Sequence, residues 1–397
     1  CAGSGANRGG LNPMSNVTFR QPFSLKLVSN GFLAFWCFLA TFPIIWITVM
    51  SFKTPLDAFD SNPFVVILGP NTRDNVGGLS LIDIVLAIAL AWFLIRKAIT
   101  WLPRQIEAFS PSGNATLAWT IGVIGYVIAT IVLFVVVLPF VLGILNPLLG
   151  PLGNNIIGIT TEHYEAVWID RNFSRNFTNS MIVTAGVVTV SLTVGTLAGY
   201  GLARSDSLIA FWLLVLALVF RALPHSVLVT GYLPYFISSS EWLQPIFGDA
   251  APTLYGKPWA VIAVLVAINQ PFTIWMLRSF FQNIPQELDE AARIDGCSHF
   301  QAFRRVIVPV MWPGVITTGL FSFLLAYNDF LVTSLLLDAN NMTMVPAIAN
   351  MFNRETTASD EVQAIAAAVS ITAPLFVLVM VFQRQIVSGL TAGAVKG

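Results

Sequence analysis

The sequence predicts an all-α protein that folds as a polytopic transmembrane helical bundle with about eight spans. Of its 397 residues, 56% are hydrophobic and only 10% are charged, whereas an ordinary soluble domain is about 25% charged. Several apolar runs also reach the length of about 20 residues that crosses a bilayer as a helix. A soluble protein of this composition would lack polar residues to cover its surface, so most classes of soluble enzyme are excluded.

Apolar stretches along the chain mark the predicted spans. In order they are 28–51, 79–95, 116–146, 178–203, 208–236, 259–279, 310–337 and 363–383. The stretch 79–95 carries Asp83 near its start and is closed by Arg96 and Lys97, so it lies at the lower length limit for a span. An interfacial helix is the alternative for this stretch.

Basic residues orient the predicted spans, because Lys and Arg are enriched in cytoplasmic loops. With the amino terminus inside, most of the 20 Lys and Arg residues fall on the cytoplasmic side, including Arg96, Lys97, Arg304 and Arg305. Removing the span at 79–95 alone would move Arg304 and Arg305 outside. We therefore expect an even number of spans with both termini in the cytoplasm.

The charge balance and the cysteines indicate neither nucleic acid nor metal. Lys plus Arg and Asp plus Glu each total 20, so the net charge is zero and no nucleic-acid partner is expected. Cys1, Cys37 and Cys297 lie far apart, without a CxxC and with only 3 His, so we expect unpaired thiols, no metal site and no bound cofactor. For residues 1–13, which are small, polar and rich in glycine, we expect a disordered tail or added sequence ahead of Met14.

One polar segment between predicted spans, 280–315, is too patterned for a plain linker. Pro285 suits the first turn of a helix, where its missing N–H costs nothing, and acids such as Glu287 follow near the positive helix end. Gly296 fits the left-handed residue that ends such a helix. A second short helix is predicted for 299–306.

The spacing within this segment resembles the EAA loop of ABC-importer inner-membrane permeases, whose pattern is EAA-x3-G-x9-I-x-L-P. Here the triplet at 290–292 is followed after three residues by Gly296 and, nine residues later, by Val306-Ile307-Val308-Pro309. Val replaces the Ile and Leu of the pattern, and the spacing matches throughout. The surrounding residues and the carboxyl-terminal run are most similar to the smaller permease of maltose-type carbohydrate importers.

The resemblance implies how the chain is coupled to partners. The residues implied to couple it to an ABC ATPase dimer are Glu290, Ala291, Ala292, Asp295, Gly296 and Pro309. ATP and Mg would be bound by those ATPase subunits, so the chain is expected to be a transport subunit and not an enzyme. A second permease subunit, a periplasmic solute-binding protein and a sugar or sugar derivative are the other implied partners, at the bacterial inner membrane.

The resemblance also divides the chain, because it is loose over the first span and good over 172–397, while permeases of this type have a core of about six spans. The segment between these regions is therefore predicted to be an insertion with extra helices. The predicted parts are a tail at 1–27, a first core helix at 28–52, the insertion with its periplasmic loops at 53–171, a core permease domain at 172–383 with the coupling loop at 280–309, and a cytoplasmic tail at 384–397.

Polar residues inside the predicted spans are candidates for the solute path. They are Arg221, His225, Asn269, Gln270, Asn328 and Asp329. A charge at membrane depth is costly and by default faces a pathway or another charge. For Arg221 the alternatives to solute contact are a structural pair with Asp329 or snorkelling to the outer surface. Amides such as Asn269 bond either sugar hydroxyls or neighbouring helices, and in the resembled subfamily the companion permease often provides most of the sugar site.

Other functions agree less well with the sequence than that of an ABC-importer permease for a sugar. The sequence contains no GxxxxGK[ST] phosphate loop, so ATP hydrolysis is expected on a partner. An integral-membrane enzyme using Glu162, His163 and Glu165 would lack HExxH or triad spacing. An ion-coupled secondary transporter would show inverted repeats and embedded carboxylates, and an ABC permease for a non-sugar polar solute would use a related loop. The sequence identifies neither the sugar nor the subunit that binds it.

Overall fold

The computed structural model describes residues 23–101, 115–145, 147, 150–223, 225–352 and 357–394. The predicted tail at 1–13 lies outside these residues. The chain divides into two compact units, Cys1–Ile47 and Thr48–Gly397, and the division falls within the first helix. The remaining description concerns the second unit.

Helices account for most of the described chain. In order, the elements are α1 (Phe23–Met50), α2 (Pro55–Ala58), α3 (Pro63–Leu68), α4 (Pro70–Asn75), β1 (Gly78–Ser80), α5 (Leu81–Thr100), α6 (Ala115–Val132) with a π-helical continuation (Leu133–Val137), α7 (Leu138–Leu145), β2 (Asn155–Gly158), α8 (Glu162–Glu165) with a π-helical continuation (Ala166–Asp170), α9 (Phe173–Ala203), α10 (Leu208–Arg221), α11 (His225–Ile237), α12 (Ser239–Phe247), α13 (Pro258–Phe281), α14 (Glu287–Ile294), α15 (His299–Ala302) with a π-helical continuation (Phe303–Ile307), α16 (Val308–Tyr327), α17 (Leu331–Leu336), α18 (Met344–Asn350) and α19 (Ala358–Ala394).

The predicted all-α bundle of membrane spans is confirmed. Among the described residues, five helices are long and apolar enough to cross a membrane: Leu25–Met50, Phe173–Ala203, Pro258–Phe281, His299–Tyr327 and Ala358–Gln383. Ile121–Val132 and Leu208–Arg221 are shorter apolar helices. Together with α5 they accommodate the predicted count of about eight spans. The last helix is longer than its predicted span, because α19 continues to Ala394 through most of the predicted carboxyl-terminal tail.

Two of the predicted spans are interrupted. The stretch 208–236 consists of α10, which ends at Arg221, and α11. The stretch 310–337 breaks after α16 and resumes as α17, where Asp329 Oδ1 accepts the backbone N–H of Thr333 at 2.9 Å. Arg221 and Asp329 therefore stand at helix ends, where backbone groups lack helical partners and polar side chains can bond them.

Glycines allow α9 to approach α13 closely. A Cβ atom at Gly195 would lie 2.5 Å from Cγ2 of Thr273. At Gly199 it would lie 3.0 Å from Cβ of Leu277 and 3.1 Å from the backbone nitrogen of Arg278. These separations are shorter than ordinary van der Waals contacts, so a side chain at either position would push the helices apart. The two glycines are four residues apart on one helical face, a spacing typical of close helix packing in membranes.

Gly199→Val should destabilise the protein by about 1–3 kcal/mol, because the added side chain meets the backbone of α13 as well as Leu277. Gly201→Val is the matched control on the same helix, since nothing lies within 4 Å of a Cβ atom at Gly201. Thermal unfolding of the purified variants in one detergent measures the difference. Equal melting temperatures for the two variants would contradict the importance of this close approach.

The insertion contains a folded unit as well as the added helices. Strands β1 and β2 pair antiparallel, and buried Lys53 donates a hydrogen bond to the carbonyl of Gly158. Buried Asp57 accepts hydrogen bonds from the backbone and side chain of both Asn71 and Thr72. Burial alone would raise the pKa of the Asp57 carboxyl, but these hydrogen bonds outweigh burial and hold the pKa below its ordinary value. The segment predicted as periplasmic loops is thus internally ordered.

Contacts with the last helix anchor the insertion. Trp168 Nε1 donates to Ser370 Oγ at 3.1 Å, and Arg171 forms an ion pair with Asp360 near the start of α19. Further along α19, apolar side chains of α6 around Val123 pack in a separate small cluster. The insertion is therefore joined to α19, while α9, α13 and α16 pack against one another. Its predicted boundaries and role stay predictions.

Candidate functional site

The short helix α14 in the predicted coupling loop presents two different faces. Ala292 is buried, and the side chain of Asp289 is only 15% exposed, so this face turns toward the membrane helices. Glu290 and Ala291 are exposed, and Ile294 is 86% exposed. An acid, a small residue and a protruding aliphatic side chain on one free face are suited to a groove in another protein.

Gly296 ends this helix as the sequence predicts. Its φ is +87°, and its N–H donates to the carbonyl of Arg293 at 3.0 Å. The N–H of Cys297 donates to the carbonyl of Ala292 at 3.0 Å. This pair of bonds forms a left-handed helix ending. Because nothing lies within 4 Å of a Cβ atom at Gly296, the backbone conformation, and not crowding, favours glycine there.

The second short helix of the loop differs from its prediction. The predicted helix at 299–306 is α15 followed by a π-helical turn that runs into α16. Ser298 Oγ accepts the N–H of Gln301, and Gln301 Oε1 accepts the N–H of Ser298, so the start of α15 is capped reciprocally. Exposed Pro309 is the second residue of α16, which directly follows the π-helical turn. Asp295 is exposed beside the end of α14.

A buried apolar cluster supports the loop on the membrane side. Its members come from α13, the loop and α16, namely Leu277, Phe281, Ile284, Phe303, Ile307, Met311 and Val315. Tyr200 and Ala203 of α9 pack against it. Since three membrane helices contribute, a displacement of the loop must also move or distort these helices.

The inner face of α14 is bonded to α9 through Asp289. Tyr200 Oη donates to Oδ1 of Asp289 at 2.7 Å, and Arg204 Nε donates to Oδ2 at 2.8 Å. These residues and Glu290 line a depression of about 270 Å³. The sequence does not predict this contact, because its partners lie 85 and 89 residues apart. The available signals were only an arginine that follows an apolar helix and an acid beside Glu290.

The predicted solute-path residues do not form a single cluster. Arg221 lines a cavity of about 600 Å³ between α10, α11 and α13, whose other lining is mostly apolar and aromatic. Its guanidinium carbon lies 4.6 Å from the ring centroid of Phe272. The ion pairs among the described residues do not include Arg221, so the alternative of a pair with Asp329 is not observed there. His225 begins α11, and its side chain lies outside the described residues.

The predicted amides contact neighbouring helices. Asn269 Nδ2 donates to Ser322 Oγ at 2.7 Å and joins α13 to α16. Gln270 Nε2 donates to the carbonyl of Ser191 at 3.4 Å, and within the described chain its Oε1 has no hydrogen-bond partner. Asn328 is exposed at the end of α16. Contact of these residues with solute stays a prediction.

Arg221→Leu should lower transport about tenfold while the protein still folds. The change removes a costly charge from the membrane region, and a hydrogen bond from a charged group to solute contributes about 1.5–3 kcal/mol. Solute uptake and half-saturation in vesicles measure the effect. Arg175→Leu, which removes an exposed arginine at the start of α9, is the control. Unchanged uptake and half-saturation in Arg221→Leu would contradict a role in solute contact.

Comparisons with known proteins extend over the region that contains α14. Residues 191–391 match the family model of the binding-protein-dependent transport system inner membrane component. The trehalose transport system permease protein SugB of Mycobacterium tuberculosis is 34% identical over 242 residues, which cover 60% of this chain and 83% of that protein. The diacetylchitobiose uptake system permease protein DasC of Streptomyces coelicolor is 34% identical over 241 residues, which cover 60% of this chain and 82% of that protein.

A solved structure supports the fold. It is a crystal structure of a bacterial ABC transporter involved in the import of the acidic polysaccharide alginate. The alignment covers 92% of this chain and 99% of that chain, with a TM-score of 0.54 and 15% sequence identity. At this identity the likeness concerns the fold alone.

Proposed function

This chain belongs to the family of binding-protein-dependent transport system inner membrane components, and we propose that it is the permease subunit of an ABC importer for a sugar or sugar derivative. Family membership makes it a multi-pass transport subunit of the inner membrane. The sugar class is inferred from the relatives, since the two described above are permeases for trehalose and for diacetylchitobiose.

The observation that carries the proposal is the free face of α14. This eight-residue helix, on which Glu290, Ala291 and Ile294 are all exposed, belongs to a loop that packs on three membrane helices. Ile294, which is 86% exposed on this otherwise mostly polar helix, is suited to an apolar pocket in the groove of a partner. The motif resemblance and the family match concern the same loop, so the partner is proposed to be an ABC ATPase dimer.

Five exposed residues of the loop have proposed roles in docking. Glu290 offers a carboxylate to a basic residue of the ATPase groove, and Ala291 permits close approach of the two backbones. Ile294 fills an apolar pocket, while Asp295 and Gly296 set the direction in which the chain leaves the groove. The ATPase subunits bind ATP and Mg and perform the hydrolysis, and this chain converts their movement into a change of the solute path.

The remaining partners follow from the family and the charge distribution. A periplasmic binding protein delivers the solute, and a second permease subunit completes the path. The excess of basic residues in alternate loops supports an orientation with both termini and α14 in the cytoplasm. The cavity at Arg221 is the proposed contact of this chain with a strongly polar or anionic sugar.

Uptake by the reconstituted importer tests the proposed function. The complex of this chain, its companion permease, its ATPase and its binding protein would be placed in liposomes and supplied with labelled trehalose or diacetylchitobiose. We expect uptake that requires ATP on the side of the membrane where the ATPase subunits lie. Dissipating ion gradients should leave this uptake unchanged. Uptake driven by an ion gradient without ATP would favour the secondary transporter, and ATP-dependent uptake of only a non-sugar solute would replace the sugar class.

Two variants of the loop test the docking role. Glu290→Lys should release the ATPase or abolish solute-stimulated ATP hydrolysis, because it places a like charge before a basic groove. Gly296→Val should act similarly, since a β-branched residue at φ +87° strains the chain by about 1–3 kcal/mol. Subunit ratios of the purified complex and ATP hydrolysis in liposomes are the measurements.

Matched controls separate docking from folding. Glu241→Lys changes an exposed acid on α12 and should keep full stoichiometry and stimulation. Gly296→Asn should impair coupling less than Gly296→Val, because asparagine tolerates left-handed conformations better. Normal subunit ratios and normal stimulation in both Glu290→Lys and Gly296→Val would refute the docking role.

A further inference from the structure

The free face of α14 is the proposed contact with the ATPase. Its opposite face is bonded to α9. Both carboxylate oxygens of Asp289 accept hydrogen bonds from α9, one from Tyr200 Oη and one from Arg204 Nε. The polypeptide itself links α14 only to its chain neighbours α13 and α15. Asp289 therefore adds a direct side-chain connection to a helix that lies far away in sequence.

This connection is more shielded from solvent than the other ion pairs of the described residues. The side chains of Arg204 and Asp289 are 16% and 15% exposed. The Arg171–Asp360 pair has exposures of 37% and 23%, and the Arg73–Asp74 pair has 39% and 65%. Exposed pairs are weakened by solvent and salt, whereas a shielded pair with two good hydrogen bonds retains more of its strength.

Aromatic packing stiffens the α9 side of the connection. The ring of Tyr200 lies 4.8 Å from that of Phe303 and 5.5 Å from that of Phe281, measured between centroids. Arg204 also lies over the Tyr200 ring, at 5.9 Å, and its Nη1 donates to the carbonyl of Phe281 at 3.4 Å. Asp289 is thus bonded to two side chains that are themselves packed against neighbouring residues. A displacement of Asp289 would therefore also displace Tyr200 and Arg204.

At its other end, α9 is bonded to a different loop. Asn176 and Asn179 donate to the carbonyl of Met342 at 3.0 and 3.1 Å, and Ser180 Oγ accepts the N–H of Met344 at 2.8 Å. The 31 residues of α9 span about 46 Å. One long helix, tightly packed on α13, therefore extends from the coupling loop to the segment before α18.

We propose that Asp289 is a positioning residue that couples the docking helix α14 directly to α9. This inference rests on the proposed function, because it supplies the route by which an ATPase movement reaches the solute path. Movement of α14 pulls on Tyr200 and Arg204, α9 and α13 shift together, and the loop bonded to the far end of α9 follows. Docking by the outer face and transmission by the inner face are then separate tasks of one helix.

The test compares Asp289→Ala with wild type in the complete complex with ATPase and binding protein in liposomes. The readouts are the subunit ratio, the melting temperature, the stimulation of ATP hydrolysis by binding protein, and labelled trehalose taken up per ATP hydrolysed. We expect an unchanged subunit ratio with stimulation and uptake per ATP about tenfold lower. Asp206→Ala, which removes an exposed acid just beyond α9, should match wild type.

Two further variants keep the test decisive if Asp289→Ala is poorly folded. Tyr200→Phe removes one of the two hydrogen bonds and keeps the ring, so it should lower the same readouts about threefold. Exchange of the pair, Asp289→Arg with Arg204→Asp, should restore stimulation and uptake per ATP. A purely stabilising role would instead lower the melting temperature in proportion to activity and leave uptake per ATP unchanged.

Outcomes for this inference and for the proposed function are distinct. A wild-type complex without ATP-dependent uptake and without stimulation by binding protein would contradict the proposed function itself. A wild-type complex with both activities, together with wild-type stimulation and uptake per ATP in Asp289→Ala and Tyr200→Phe, would overturn only the role of Asp289. Loss of the ATPase from the Asp289→Ala complex would also overturn it, because the residue would then serve docking.

Discussion

The close approach of α9 to α13 at Gly195 and Gly199 is the contact on which the organisation of the second unit depends. In lipid there is no hydrophobic gain from bringing two apolar helices together, so association relies on close packing and on a few polar bonds. Small residues allow the close packing, and the Asn269–Ser322 bond between α13 and α16 is an example of a polar bond between helices. With these helices in contact, the ends of α9 and α13 meet beneath the coupling loop.

The coupling loop inherits its rigidity from this packing. Its two short helices would be marginal in isolation, but Phe303 and Ile307 pack in one buried cluster with side chains of α13 and α16. Asp289 adds a bond to α9. The loop therefore combines a firmly held inner face with an exposed outer face, an arrangement suited to passing force from a soluble ATPase to membrane helices.

Polar groups in the membrane region are distributed between two kinds of environment. Asn269 and Ser322 satisfy each other between helices, as expected where water is scarce. Arg221 instead faces a cavity beside Phe272, at the end of an interrupted helix. The insertion packs along α19 and, through Trp168, on the start of α9. The proposed docking of the ATPase and the proposed contact with solute thus involve different parts of the chain.

The sequence by itself determined the helical class, the approximate spans and the short helix α14, because hydropathy and helix-ending signals act over short distances. The length of an apolar stretch predicts a span. Gly296 adopts the left-handed conformation that its position just beyond the end of α14 indicates. Only the tertiary structure decided that Asp289 meets Tyr200 and Arg204, that Asn269 turns to Ser322, and that Arg221 lines a cavity without pairing with Asp329 among the described residues. Those outcomes depend on which helices pack together and at what rotation, and hydropathy fixes neither, since every apolar helix is equally compatible with lipid.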